Sequence, residues 1–149
     1  MKNVVELTED AGLLLTIENF SGKFSPFITS DDFFEAQREI PQLRLTYDNG
    51  NAACGENPVD SFKKCADYVV HAHFKDWDVI NHQEEGFREM SDGRYYRPAL
   101  IEEGNLDTAA CWKAMKNYGY KDYVNIEYEN NKYPADKAIK KVTEYLKIL

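Results

Sequence analysis

The sequence predicts an α/β fold of about four parallel strands with flanking helices. Short apolar runs of strand type alternate with helical segments, and each such run is followed by a helix or a long connection, the arrangement of parallel βαβ units. With 149 residues, 43% of them hydrophobic and 30% charged, the chain suits one globular domain.

The elements follow in order. Residues 2–10 carry Val4, Val5 and Leu7 and stop at Ala11-Gly12, a helix end. Residues 13–20, LLLTIENF, form a nearly continuous apolar run, the first strand. Ser30-Asp31-Asp32 supply capping chemistry for a helix over 30–40. LRLTYDNGNA (43–52) is a second strand running into a glycine turn, and Pro58 opens a short helix over 57–66. DYVVHAHFKD (67–76) is the third strand. Residues 77–106 have no clear period and are expected to form a long, functional loop. A helix opens at Asp107 and stops at Gly119, YVNIEYE (123–129) is the fourth strand, and an amphipathic helix closes the chain over 134–149.

Composition excludes several classes. A formal charge of −8 is a poor match for nucleic acid or an anionic membrane. Cys54, Cys65 and Cys111 are odd in number and form no CxxC pair, so reduced thiols in a cytoplasm are expected, with no disulfide framework or zinc knuckle. The first residues lack the apolar core of a signal peptide, and no run is long enough to span a bilayer.

The strand ends carry the chemistry. They read Thr16-Ile17-Glu18-Asn19, Thr46-Tyr47-Asp48-Asn49, His71-Ala72-His73-Phe74-Lys75-Asp76 and Asn125-Ile126-Glu127-Tyr128-Glu129. Taken singly, each acid is most simply a solvated or capping residue, and each histidine a hydrogen-bonded structural one. Four in register on four strands point to one site, because parallel α/β folds place their sites at this edge. One Glu, one Asp, one His and one Glu make a hard donor set with one imidazole, suited to Mn²⁺, Mg²⁺, Co²⁺ or Zn²⁺. Alternation puts His71 and His73 on one side of their strand. His82 has no such context and is read as structural.

LTIENF, LTYDNGN, HAHFKD, EEGNLD and YGYKDYVNIEYE, in this order and spacing, resemble the C-terminal half of the xylose isomerase-like TIM barrels. This sugar phosphate isomerase/epimerase superfamily includes ketose 3-epimerases, hydroxypyruvate isomerase and inosose dehydratase. The resemblance runs from residue 11 onward. It implies that residues 1–149 are a single domain, a half-barrel equivalent to strands five to eight that begins partway through the fourth helix. It also implies that Glu18, Asp48, His73 and Glu127 are metal ligands, and that Glu18 and Glu127 double as proton carriers through a metal-stabilised enediolate. Two positions depart from the epimerases: Asn51 stands where several carry a substrate-contacting histidine, and Val79 where they carry a substrate-binding arginine. Asn51, Lys75 and Arg97 are the expected substrate contacts, with Arg88 and Arg94 also offered by residues 77–106. Lys75 either polarises the substrate or holds Asp76 in a structural pair.

The implied activity is metal-dependent isomerisation or epimerisation of a keto sugar or polyol. A hydro-lyase, or a β-eliminating lyase on an oxidised sugar or inosose, uses the same proton transfer. Endonuclease IV shares the fold, but its trinuclear zinc site needs more histidines than the three present. A full barrel needs about 250 residues. The chain is therefore expected to be a truncation, to pair with a separate N-terminal half-barrel chain, or to form a homo-oligomer. In a further reading it is a non-catalytic subunit.

Overall fold

The computed structural model describes residues 2–149, apart from the side chains of Lys2, Asn3 and Glu9. In chain order the elements are α1 (Lys2–Asp10), β1 (Thr16–Glu18), α2 (Ser30–Glu39), β2 (Arg44–Asp48), α3 (Asn49–Ala52), α4 (Pro58–Cys65), a 3₁₀ turn (Ala66–Tyr68), β3 (Val69–Phe74), β4 (Asp76–Ile80), β5 (Arg88–Glu89), β6 (Tyr95–Ala99), α5 (Thr108–Tyr118), β7 (Val124–Ile126) and α6 (Ala135–Ile148). The four strands expected from sequence form one parallel sheet in the order β1–β2–β3–β7.

Local chemistry sets the helix ends. Thr29 caps α2: its hydroxyl accepts the Asp32 N–H, and the Asp32 carboxylate accepts the Thr29 N–H. This reciprocal box satisfies donors that the first turn leaves without intrahelical partners. Asn57 caps α4 ahead of Pro58, and Asp107 caps α5. α5 ends at Gly119, whose φ of 86° lies in the left-handed region that favours glycine.

Alternation gives the sheet two different faces. Ile17, Leu45, Tyr47, Ala72 and Phe74 join Phe33, Phe62, Met115 and Val142 in the main core beneath the helices. Phe62 is fully buried there, and its loss to alanine would cost about 3–5 kcal/mol. The opposite face carries Thr16, Thr46, His71 and His73. The Thr16 and Thr46 hydroxyls lie 2.8 Å apart, and the two imidazoles meet edge to face at 5.2 Å. Barrel interiors are usually filled by branched apolar side chains. Here the layer below the strand ends is polar.

Residues 77–106 are not one structureless loop. They hold most of a second, antiparallel sheet, β4–β6–β5, with Trp77 facing Pro98 and Ile80 facing Tyr95. The strands were short and their alternation was weak, but Asp92-Gly93 is a hairpin signal, and Gly93 has φ 79°. Pro98 is tolerated because β5 pairs only with Tyr95 and Tyr96, so no strand on that side asks Pro98 for an N–H, and its carbonyl accepts from the Asn130 side chain at 2.6 Å. Trp77, Tyr96, Met90, Ile28 and Cys54 form this sheet's own small core.

The chain passes from β3 into β4 with one residue between them, Lys75. Gly50 makes room for that crossing. A Cβ there would stand 2.3 Å from Lys75 Cγ and 2.7 Å from Trp77 Nε1. All three cysteines are buried and free, and burial pushes their thiols up to about 12. Among the described residues no helix is long and apolar enough to cross a membrane.

Candidate metal centre

The parallel register delivers four side chains to one point. Glu18 ends β1, Asp48 ends β2, His73 is next to last in β3, and Glu127 follows β7 directly. Asp48 pairs with His73, and His73 with Asn125. The Glu127 N–H donates to the Phe74 carbonyl at 2.9 Å, extending the ladder one step past β7. One ligand atom from each of Glu18, Asp48, His73 and Glu127 lies within 4.8 Å of the others. His73 Nδ1 stands 3.1 Å from Glu18 Oε1 and 2.8 Å from Glu127 Oε1.

Lys75 is the cation in this cluster. Its Nζ lies 2.6 Å from Glu127 Oε2 and 3.0 Å from Asp48 Oδ2. Burial works against its charge, but Asp48 and Glu127 outweigh that and raise the ammonium's pKa. The Lys75–Asp76 pair, one of the two roles the sequence left open for Lys75, does not form. The Asp76 carboxylate accepts the N–H groups of Trp77, Glu102, Gly104 and Leu106 instead. Burial nonetheless lifts Asp76 to about 6, against the pull of those donors. Gly104 is required there, since a Cβ would stand 2.3 Å from Asp76 Oδ1.

Asp48 is completely buried. Burial lifts its carboxyl to about 7, against the opposing pull of Lys75 and of the Asn51 N–H. Its Oδ1 caps α3 by accepting that N–H at 2.7 Å. Its Oδ2 has the Lys75 ammonium nearby but no well-formed hydrogen bond. A buried oxygen left in this state, three carboxylates in one cluster and a single lysine to offset them fit a divalent cation. The donor set, three carboxylates and one imidazole, suits Mg²⁺, Mn²⁺, Co²⁺ or Zn²⁺.

Two asparagines position the cluster, and the sequence reading did not single them out. Asn19 Oδ1 accepts the Asp48 N–H at 2.8 Å, and its Nδ2 donates to the Asp48 carbonyl at 2.9 Å. Asn49 repeats the arrangement one strand over, accepting the Lys75 N–H at 2.9 Å and donating to the Lys75 carbonyl at 3.0 Å. Each asparagine immediately follows a candidate ligand. The repeated pattern Thr-apolar-acid-Asn at 16–19 and 46–49 is the signal that could have revealed them.

Asn51 reaches the centre, with Nδ2 3.4 Å from Glu18 Oε1 and donating to the Asn19 carbonyl at 2.9 Å. Arg97 does not join the cluster: it forks onto Asp78 at 2.8 Å and stacks on Phe87. Arg94 is engaged with Asp92 and Tyr96. Arg88 is the loop arginine linked to the centre, through Glu129 at 3.2 Å, which in turn lies 4.0 Å from Lys75. Val79 lies in β4, paired with Tyr96. His82 is exposed beside Glu84.

A sheet of four parallel strands brings three acids and a histidine together at its C-terminal edge, an α/β arrangement whose cluster could hold a metal ion. A profile of the xylose isomerase-like TIM barrel family matches residues 1–149, and the chain belongs to that family. An inosose dehydratase from Lacticaseibacillus casei is 21% identical over 138 residues, 88% of this chain and 45% of the relative. Among solved structures, the probable 3-DHS dehydratase AsbF from Bacillus anthracis is 18% identical with a TM-score of 0.77, covering 98% of this chain and 53% of that one. A D-tagatose 3-epimerase-like protein is 26% identical with a TM-score of 0.73, covering 99% and 52%. A family protein from Mycobacterium smegmatis in complex with magnesium is 17% identical with a TM-score of 0.68, covering 97% and 47%. The chain thus spans about half the length of the relatives it matches.

Proposed function

We propose that this cluster is the metal centre of an enzyme that moves a proton at the carbon next to a carbonyl, isomerising or epimerising a keto sugar or polyol. One observation carries the reading. Glu18 and Glu127, at opposite edges of the sheet, both reach His73 Nδ1 and so face each other across one point. Two carboxylates in that relation can remove a proton on one side of a substrate and return one on the other.

A divalent cation held by Glu18, Asp48, His73 and Glu127 would supply positive charge beside the carbonyl oxygen, lowering the cost of breaking the neighbouring C–H bond. Glu127 accepts the proton, and the C–H electron pair moves toward the carbonyl. A proton returns to the carbon from the opposite face, on the side of Glu18, whose carboxylate passes it in from solvent. Lys75 orients the Glu127 carboxylate from 2.6 Å and offsets the charge of Asp48. Asn51 holds Glu18, and Asn51 and Lys75 border the space where substrate hydroxyls would bind. Arg97 and Arg88 lie on the second sheet and supply charge farther out.

The magnesium complex in the same family supports the metal, and the epimerase-like neighbour supports the reaction class. A hydro-lyase is the second reading, favoured by the dehydratases among the relatives. It begins with the same proton removal and then expels a hydroxyl from the next carbon as water. Incubation in deuterated solvent with keto sugars and inososes separates these outcomes. Deuterium in recovered or isomerised sugar supports the epimerase, and an unsaturated product with loss of water supports the lyase. No deuterium and no turnover with metal bound would leave a non-catalytic half-barrel.

A further inference from the structure

A carboxylate offers a metal only the oxygen that its other contacts leave. Asp48 Oδ1 is committed to the fold, because it accepts the Asn51 N–H at 2.7 Å and caps α3. Asp48 Oδ2 remains, and it is the oxygen that Lys75 Nζ faces at 3.0 Å. Glu127 is divided in a similar way. Its Oε1 lies 2.8 Å from His73 Nδ1, and its Oε2 lies 2.6 Å from Lys75 Nζ. A divalent cation can take Glu127 Oε1 while Lys75 stays on Oε2. On Asp48 Oδ2 it meets the ammonium directly. Two cations at one buried oxygen repel strongly, because little water screens them.

The surroundings of Lys75 define where it can turn. Its side chain is 8% exposed, and a third carboxylate stands beside it, with Glu129 Oε1 4.0 Å from Nζ. Glu129 is not among the converging ligand groups. It is held from its far side, where Arg88 Nη2 takes the other oxygen, Oε2, at 3.2 Å. The Arg88 guanidinium lies 5.1 Å from the centre of the Trp77 ring, and Trp77 is buried with its Nε1 donating to the Gly50 carbonyl. Glu129 Oε1 is thus presented to Lys75 from a fixed support. The Lys75 ammonium lies 5.6 Å from the same ring.

We propose that Glu129 is a positioning residue of the metal centre: when a divalent cation takes Asp48 Oδ2, Lys75 keeps Glu127 and exchanges Asp48 for Glu129. The ammonium forms one ion pair for the one it gives up, so metal entry does not leave a buried lysine without its second partner. Glu127 Oε2 stays hydrogen-bonded while Oε1 turns to the metal. Arg88 supports the exchange by holding Glu129 through the oxygen that Lys75 does not use. This role rests on the metal centre proposed above and is independent of the reaction performed there.

The test is a double-mutant cycle on Mn²⁺ affinity, measured by calorimetry on chelator-stripped protein at one pH. Glu129→Gln alters a half-exposed position and removes only its charge. It should weaken Mn²⁺ binding roughly fivefold or more. Lys75→Met should bind Mn²⁺ more tightly than wild type, since no ammonium then contests Asp48 Oδ2. Lys75→Gln takes its place if circular dichroism shows the Met variant unfolded. In the Lys75 variant, adding Glu129→Gln should change affinity by less than about twofold, because the residue that Glu129 acts through is gone. Glu129→Asp, which keeps the charge, should recover part of the loss. An equal loss in both backgrounds would mean that Glu129 attracts the metal directly or only supports the fold, and would overturn the proposal. So would a Glu129→Gln protein that binds Mn²⁺ as wild type does, or a Lys75 variant that binds no more tightly. A wild type that takes up no Mn²⁺ would remove the metal centre itself, and the role of Glu129 with it.

Discussion

Asn19 and Asp48 exchange two hydrogen bonds through the Asn19 side-chain amide and the Asp48 backbone, at 2.8 and 2.9 Å. The amide acts there as one more peptide unit of the sheet, placed where β1 has already ended. It fixes the backbone of the one candidate ligand that is completely buried. Asn19→Ala should remove both bonds and leave a buried N–H and C=O unpaired, costing about 2–4 kcal/mol of stability. Urea denaturation reads the loss. Asn19→Asp keeps the acceptor, loses the donor and sets a second carboxylate beside Asp48, so it should be at least as damaging. A neutral result for both variants would mean that the strand end holds its place without this clamp.

Lys75 offsets carboxylates that a cation would also offset. Lys75→Met should therefore destabilise chelator-treated protein by about 3–5 kcal/mol near neutral pH, the usual cost of stripping the partner from a buried charge. Asp48 would relieve part of that by holding a proton. Its folded pKa is already raised to about 7 and should rise further, so the variant should lose stability as pH increases through that range. Adding Mn²⁺ should raise its melting temperature more than that of wild type. Thermal melts with chelator and with Mn²⁺ check both statements, and equal responses in the two proteins would contradict them.

Away from the site, Glu103 ties the segment after β6 to α6 and the loop before it. Lys132 lies 2.6 Å from it, the Tyr133 hydroxyl 2.9 Å, and Lys141 also contacts it. The hydrogen bonds from Lys132 and Lys141 hold its carboxyl down at about 2. A folded pKa below the unfolded one contributes stability that is present above about pH 4.5 and is lost as pH falls toward 2. Glu103→Gln should flatten the acid limb of the stability curve in that window and change little at pH 7 beyond a constant offset. Denaturation midpoints between pH 2 and 6 measure it. A variant that keeps the wild-type slope would show that these contacts do not persist in solution.

Much of the fold was legible because parallel strands announce themselves as apolar runs separated by helical segments. The four strand ends were placed by their acids and histidine, and the structure brings Glu18, Asp48, His73 and Glu127 together. The antiparallel sheet was not legible. β5 spans two residues and β6 contains a proline, so neither gives a strand-length period. Of the two roles open to Lys75 in the sequence, the structural pair with Asp76 is the one geometry denies. Successive residues of an extended chain point opposite ways, and Asp76 turns to the backbone of residues 102–106 instead. The link from Arg88 to Lys75 through Glu129 depends on contacts far apart in the chain, which no local pattern encodes.

The most direct test of the metal centre is Mn²⁺ titration of the chelator-stripped protein by calorimetry, with bound metal counted by elemental analysis. One ion per chain is expected. His73→Ala, which removes a ligand between Glu18 and Glu127, should weaken binding by at least tenfold, as should Asp48→Ala. His71 lies on the same face one step below and is not among the converging groups, so His71→Ala should bind Mn²⁺ nearly as wild type does. A wild-type protein that takes up no stoichiometric ion, or one whose affinity falls equally with His71 and His73, would contradict the account.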